Sequence, residues 1–248
     1  MISRRERVSE VRQSFQVVVN ENWIAGLPGA IAEAVRARMS AIEVPAGETL
    51  TAAGRPATRM FQVVEGYLRV NGVHQDGSAA LIALYIPGNC LGENALIARR
   101  RYNHTAVALV DSRVGVLAAR DFWELYRLYD EIPEALCRKF VALVSRQIDM
   151  REAHATLSLG QRIALMFDNF LEHCPGAARP DGAAIAFPFT QWDIAALFDV
   201  SRQSVHREIA RLRALGILEK RAGVWVIADR HKLGSLTSMP RQKKSGRM

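Results

Sequence analysis

The 248-residue sequence predicts an α+β protein: an N-terminal β-roll of jelly-roll type, one long helix, and a C-terminal winged helix-turn-helix. Three observations carry that prediction. Between Met60 and Leu117, brief apolar runs are separated by turn residues at intervals of about ten, the texture of an antiparallel barrel or jelly roll. From Leu136 to Leu157, a stripe recurs at alternating four and three spacing, as in a heptad seam. From Thr190 to Gly216, two apolar-striped helices flank a break at Asp199-Val200-Ser201, and a strand, a turn and a strand follow.

The opening MISRRERVSEVRQSFQ is polar and basic without the apolar stretch of a secretory signal, so residues 1–22 are expected to form an arm. Alanines with Ile31 and Val35 predict a short helix over Gly29–Met39. Turn signals at 45–48, 53–56, 65–66, 75–77, 87–89 and 111–112 delimit strands at Met60–Val64, Tyr67–Val73, Ala79–Ile86, Thr105–Val110 and Arg113–Leu117. The β-roll is thereby assigned to residues 23–130, with a short helix at Asp121–Tyr129.

The long helix is assigned to 131–158, with Pro133 in its first turn, where a missing N–H is harmless. Its seam, Leu136, Phe140, Leu143, Gln147, Met150, His154 and Leu157, calls for a partner helix. One broad buried face of a monomer is the alternative. Polar Gln147 and His154 favour a dimer interface, where such residues set register. A second stripe, Cys137, Val141, Val144 and Ile148, is expected to pack on the β unit. After a break near Ser158-Leu159-Gly160 come an amphipathic helix at Gln161–His173, a loop at Cys174–Gly182 and a strand at Ala183–Phe189. The winged helix is assigned to 159–235, and the basic tail 236–248 is expected to be disordered at its end.

Within the helix-turn-helix, Trp192, Ile194, Ala195, Leu197 and Phe198 are read as the apolar stripe of the first helix. Ser201 is the N-cap of the second, which buries Val205, Ile209, Leu212 and Leu215 before Gly216 ends it. Its other face carries Ser201, Arg202, Gln203, Ser204, His206, Arg207 and Arg211, side chains that read base edges and grip phosphates, and Lys220 and Arg221 fall at the tip of the wing. An ordinary helical hairpin with a solvated basic face is the competing reading. Charge separates the two. The net charge is +8, and from Thr190 onward 12 Lys and Arg stand against 5 Asp and Glu, so nearly all of the excess lies with the helix-turn-helix. That is the footprint of a double-stranded DNA partner rather than of a membrane, for which no long apolar span exists.

The order of β unit, long helix and winged helix resembles the cAMP receptor protein and fumarate-nitrate reduction regulator (Crp/Fnr) family of bacterial transcription factors, from about Trp23 to Leu233. The motifs that carry it are Pro87-Gly88-Asn89-Cys90-Leu91-Gly92-Glu93 with Thr105-Ala106-Val107, then Gln161-Arg162-Ile163-Ala164, and Val200-Ser201-Arg202-Gln203-Ser204-Val205-His206-Arg207. The resemblance implies a cyclic-nucleotide-binding-like β-roll, a homodimer on a pseudo-palindromic operator, and RNA polymerase as a partner. It matches Arg202 and Arg207 to the family's base-reading arginines. Gln203 replaces a frequent glutamate, which predicts a preference for adenine N6 and N7 over cytosine N4. The effector-pocket candidates are Gly92, Glu93, Asn94, His104 and Thr105.

His104-Thr105 stands where cyclic-nucleotide-binding members carry an arginine and a hydroxyl for the cyclic phosphate, and a neutral histidine is a poor substitute for a fixed cation. Cyclic AMP is therefore not the expected effector, no cofactor is required, and the effector is unknown. A cyclic-nucleotide-responsive regulator with a modified phosphate site, or a module acting through protein contacts, are the alternatives. Cys90, Cys137 and Cys174 stand apart, which excludes a zinc cluster, a disulfide framework and a four-cysteine iron–sulfur site and fits a reducing cytoplasm. No nucleophile elbow, phosphate loop or dinucleotide fingerprint points to an enzyme.

Overall fold

The computed structural model describes residues 18–19, 22–73, 79–173, 190–221 and 224–238. The predicted loop at 174–182, the strand at 183–189, the turn at 75–77, most of the arm and the end of the tail lie outside the described residues. Two compact units divide within the long helix, one from Val18 to Val144 and one from Ser145 onward.

The first unit contains β1 (Val18–Val19), α1 (Gly29–Ala37), β2 (Ser40–Val44), β3 (Thr49–Thr51), β4 (Arg59–Glu65), β5 (Leu68–Val73), β6 (Ala79–Tyr85), β7 (Cys90–Leu91), α2 (Glu93–Ile97), β8 (Thr105–Ala108), β9 (Ser112–Ala118), α3 (Ala119–Leu128) and the start of α4 (Glu131–Thr156). One sheet runs β1-β6-β5-β8-β3 and the other β2-β9-β4-β7. Alternation along β4 and β9 turns Phe61, Val63, Val114 and Val116 inward, where they meet Val44, Leu68 and Ala108 from both sheets. A second cluster lies under the helices. Trp23, Ile24, Ile31 and Val35 meet Phe122, Leu125, Ile132 and Leu136 over Met60 and Leu117. Full burial of this many large side chains, each worth about 1.5–3 kcal/mol, is what holds the helices to the roll.

The predicted strands from Met60 to Leu117 all form, at slightly different bounds. The long helix corrects the sequence in two places. Leu136 is sealed inside the cluster just described, and Leu157 is also buried, so neither is free for a partner helix. Conversely, the second stripe does not pack on the roll: Cys137 is exposed, and Val141, Val144 and Ile148 are 66%, 62% and 61% exposed. Both stripes are apolar at helical spacing, and spacing alone does not say which one meets the roll.

The second unit contains the end of α4, α5 (Leu159–His173), α6 (Gln191–Leu197), α7 (Arg202–Ala214), β10 (Leu218–Arg221), β11 (Val224–Ile227) and α8 (Arg230–Ser238). Ile163, Phe167 and Phe170 of α5 are buried, as are Ile194, Phe198, Val205, Ile209 and Leu212. The winged hairpin pairs Leu218 with Ile227 and Lys220 with Trp225. Helix α8 closes the unit: Leu233 is fully buried and the helix packs on α5.

Candidate functional site

The helix-turn-helix is built by two caps and one turn. Thr190 Oγ1 accepts the Asp193 N–H at 3.2 Å while Asp193 Oδ2 accepts the Thr190 N–H at 2.8 Å, a capping box that starts α6. Asp199 takes a left-handed conformation (φ 49°), which reverses the chain between the helices. Ser201 Oγ accepts the Ser204 N–H at 3.2 Å and starts α7. With Val205, Ile209 and Leu212 buried, the opposite face of α7 leaves Arg202, Gln203, His206 and Arg207 exposed. Together with Gln191 they line a cleft of about 480 Å³.

The supports of these side chains differ. Arg207 Nη2 donates to Ser204 Oγ at 3.3 Å, and Arg211 pairs with Glu208 at 3.1 Å on the flank of the helix. Lys220 Nζ lies 5.6 Å from the centre of the Trp225 ring, and Arg221 ends β10 beside it. Trp192 does not join the buried stripe. It is 66% exposed, because a step of two positions along the helix puts it on the opposite side from Ile194, and Arg202 Cζ lies 5.4 Å from its ring centre. Leu215, assigned to the buried stripe of α7, caps the helix and is 44% exposed.

In the β-roll, Gly92 (φ 99°) precedes α2, and a Cβ there would lie 2.9 Å from the Arg59 carbonyl oxygen, so this position admits only glycine without strain. Glu93 follows it into the interior and is 1% exposed. The sequence alone does not reveal its partner. Lys139, from α4, forms an ion pair with Glu93 Oε1 and donates a second hydrogen bond to the Cys90 carbonyl oxygen at 2.8 Å. Burial alone would push the Lys139 ammonium down, but the adjacent Glu93 carboxylate outweighs it and holds the group above its ordinary range and charged. Burial, reinforced by Glu93, pushes the neighbouring Cys90 thiol up and leaves it an inert, protonated core residue. The available signal for Lys139 was a charge set within the apolar Leu136-Phe140-Leu143 face, which demands a buried counterion.

A cavity of about 120 Å³ lies here, lined among others by Glu93, Asn94, His104, Lys139, Phe140 and Leu143. Phe140 and Leu143, read as dimer seam, thus face this cavity. Thr105, read as a pocket residue, does not line it; its hydroxyl accepts the Ala53 N–H at 3.1 Å. Partial burial lowers the pKa of His104, so the ring is neutral at neutral pH. Arg99, Arg100 and Arg101 line a separate cleft with Trp123 and Arg127. Of the remaining seam residues, His154 sets its ring 6.2 Å from that of Phe198, Gln147 is exposed and Met150 is half-buried. Among the described residues no group of His, Cys, Asp and Glu gathers to hold a metal, and no helix is long and apolar enough to cross a membrane.

Residues 41–129 match the cyclic nucleotide-binding domain and residues 161–236 the Crp-like helix-turn-helix domain. The transcriptional regulator LdrP of Thermus thermophilus is 30% identical over 174 residues, spanning 69% of this chain and 83% of LdrP. This chain belongs to the Crp/Fnr family of transcription regulators. The Crp/Fnr regulator described here is also 24% identical over 220 residues to the CRP-like cAMP-activated global transcriptional regulator of Mycobacterium tuberculosis, covering 83% of this chain and 91% of that one. The crystal structure of a CRP/FNR-family transcriptional regulator from Thermus thermophilus matches with a TM-score of 0.65 at 25% identity, over 82% of this chain and all of the other. As a Crp/Fnr regulator, the protein is a DNA-binding transcription factor and not an enzyme.

Proposed function

We propose that two copies of the chain bind a pseudo-palindromic operator, with Arg202 and Arg207 reading bases, Gln203 setting the preference between them, and RNA polymerase as the machinery regulated. The observation that carries this is the exposed quartet Arg202, Gln203, His206 and Arg207 around one open cleft on the N-terminal half of α7. Recognition helices of a dimer enter successive major grooves about 34 Å apart, so the operator should show two half-sites at that spacing. The second copy docks along Cys137, Val141, Val144 and Ile148, whose spacing of four, three and four keeps one apolar stripe in water on a single chain.

We further propose that the β-roll does not hold cyclic AMP in the usual way. Lys139 already occupies one oxygen of Glu93, no arginine among the described residues lines the cavity, and about 120 Å³ is well below the roughly 300–1,000 Å³ of ordinary ligand pockets. One observation favours a small occupant: Glu93 Oε2 is buried with no hydrogen-bond partner among the described residues. Such a ligand would be uncharged and hydroxylated, since the two charges of the cavity cancel.

Binding-site selection with the wild type and Gln203→Glu, each with and without cyclic AMP, tests the proposal. The expected result is a two-fold-symmetric site, a base change between the two proteins within each half-site, and no dependence on the nucleotide. An identical site from both proteins, or binding only with cyclic AMP, overturns the corresponding part. Mild oxidation should link two chains through Cys137 and fail with Cys137→Ser.

A further inference from the structure

Trp192 is a large aromatic side chain left in water at the start of α6, 66% exposed, while Ile194, Ala195 and Phe198 beyond it are sealed in the core. Packing gives no reason for an indole at that position. What it touches does: the guanidinium of Arg202, the first residue of the recognition helix, lies over its ring at 5.4 Å. We propose that Trp192 is a specificity-determining residue that positions Arg202 for base reading.

The two contacts of such an arginine do not compete. A guanidinium meets an aromatic ring through its flat face, whereas its five N–H groups leave along its edge, where guanine O6 and N7 would accept them. Arg207 spends an N–H on Ser204 Oγ, and Arg211 spends one on Glu208. The indole consumes none of Arg202's. An exposed arginine loses much rotamer freedom when it is fixed on a base, and a stack formed before DNA arrives removes part of that loss from the binding step. The gain falls only on the base pair that Arg202 reads, so Trp192 sharpens discrimination without touching a base. Being uncharged, it neutralises no phosphate and leaves the salt dependence of binding to its neighbours.

This inference rests on the proposed base contact of Arg202, and its test separates the two. The full-length protein, as wild type, Trp192→Ala, Trp192→Phe, Trp192→Leu, Arg202→Ala and the double variant Trp192→Ala/Arg202→Ala, is titrated against its selected operator and every single-base-pair variant of one half-site. Trp192→Ala should reduce discrimination by roughly two- to fivefold at the one base pair whose preference Arg202→Ala abolishes, with other positions and the salt slope unchanged. Trp192→Phe should keep most of the discrimination, Trp192→Leu should behave like alanine, and Trp192→Ala should add nothing in the Arg202→Ala background. An equal loss in both backgrounds, a uniform loss over all sequences, or rescue by leucine as good as by phenylalanine overturns the role of Trp192 alone. If Arg202→Ala leaves every base preference intact, the base contact and the inference fall together.

Discussion

The β-roll cavity and the exposed face of the recognition helix both present cations carried on helices, and they differ in what those cations have left to give. Lys139 is almost wholly buried, paired with Glu93 and bonded to the Cys90 carbonyl. Arg202 and Arg207 are exposed, with most of their N–H groups unbonded among the described residues. A paired, desolvated charge holds structure together; an unpaired, exposed one is available to a partner. The same residue class therefore marks a closed interior in one unit and an open surface in the other.

The largest effect that would break this comparison lies at the buried pair. Lys139→Met should destabilise the protein by about 3–5 kcal/mol in urea unfolding, because the Glu93 carboxylate is left buried and uncompensated, whereas Glu93→Gln combined with Lys139→Met should restore most of the loss. Equal stability of the single and double variants would show that the pair is not a desolvated unit. Next comes Arg207→Ala, expected to cost about 1–3 kcal/mol of discrimination at one base pair per half-site, measured by competition between operator variants. A flat loss over all sequences would make Arg207 a phosphate clamp. Lys220→Ala should do what Arg207→Ala does not, weakening all sequences alike and reducing the salt slope by about one per copy.

The smallest effect is on pH. Burial, and then the nearby Arg162, hold the His154 pKa below its ordinary value against the opposing pull of Asp199. The unfolded chain thus takes up protons first as pH falls through about 6.5, so stability should decline from pH 7 toward pH 5. His154→Gln should flatten part of that slope in thermal unfolding, with His104, whose pKa is also lowered by burial, supplying another part.

Much of this fold is legible because periodicity and punctuation act locally. Strands β4, β5, β6, β8 and β9 announce themselves by turn residues, and α7 by Ser201 in front and buried residues at helical spacing. β1, β2, β3, β7 and α2 escape because they are two to five residues long, too short for any period to repeat, and the nine-residue α8 escapes because its basic, apolar-poor composition reads as tail. Spacing places the exposed face of α7 opposite its buried residues but misplaces Trp192, since a seven-residue helix cannot distinguish an apolar residue facing the core from one facing an arginine. For the same reason, spacing does not say which stripe of α4 meets the roll. Lys139 and Glu93 are 46 positions apart, and only the folded roll brings them together.

Lys139 and the open stripe of Val141, Val144 and Ile148 sit within a few residues of one another on a single helix. If, as proposed, that ion pair bars a second messenger, a cell still controls how many copies of the chain it makes. Pairing along the proposed stripe would rise with abundance, so a regulator of this design would respond to its own synthesis and degradation, and its promoter and half-life would take the place of a second messenger.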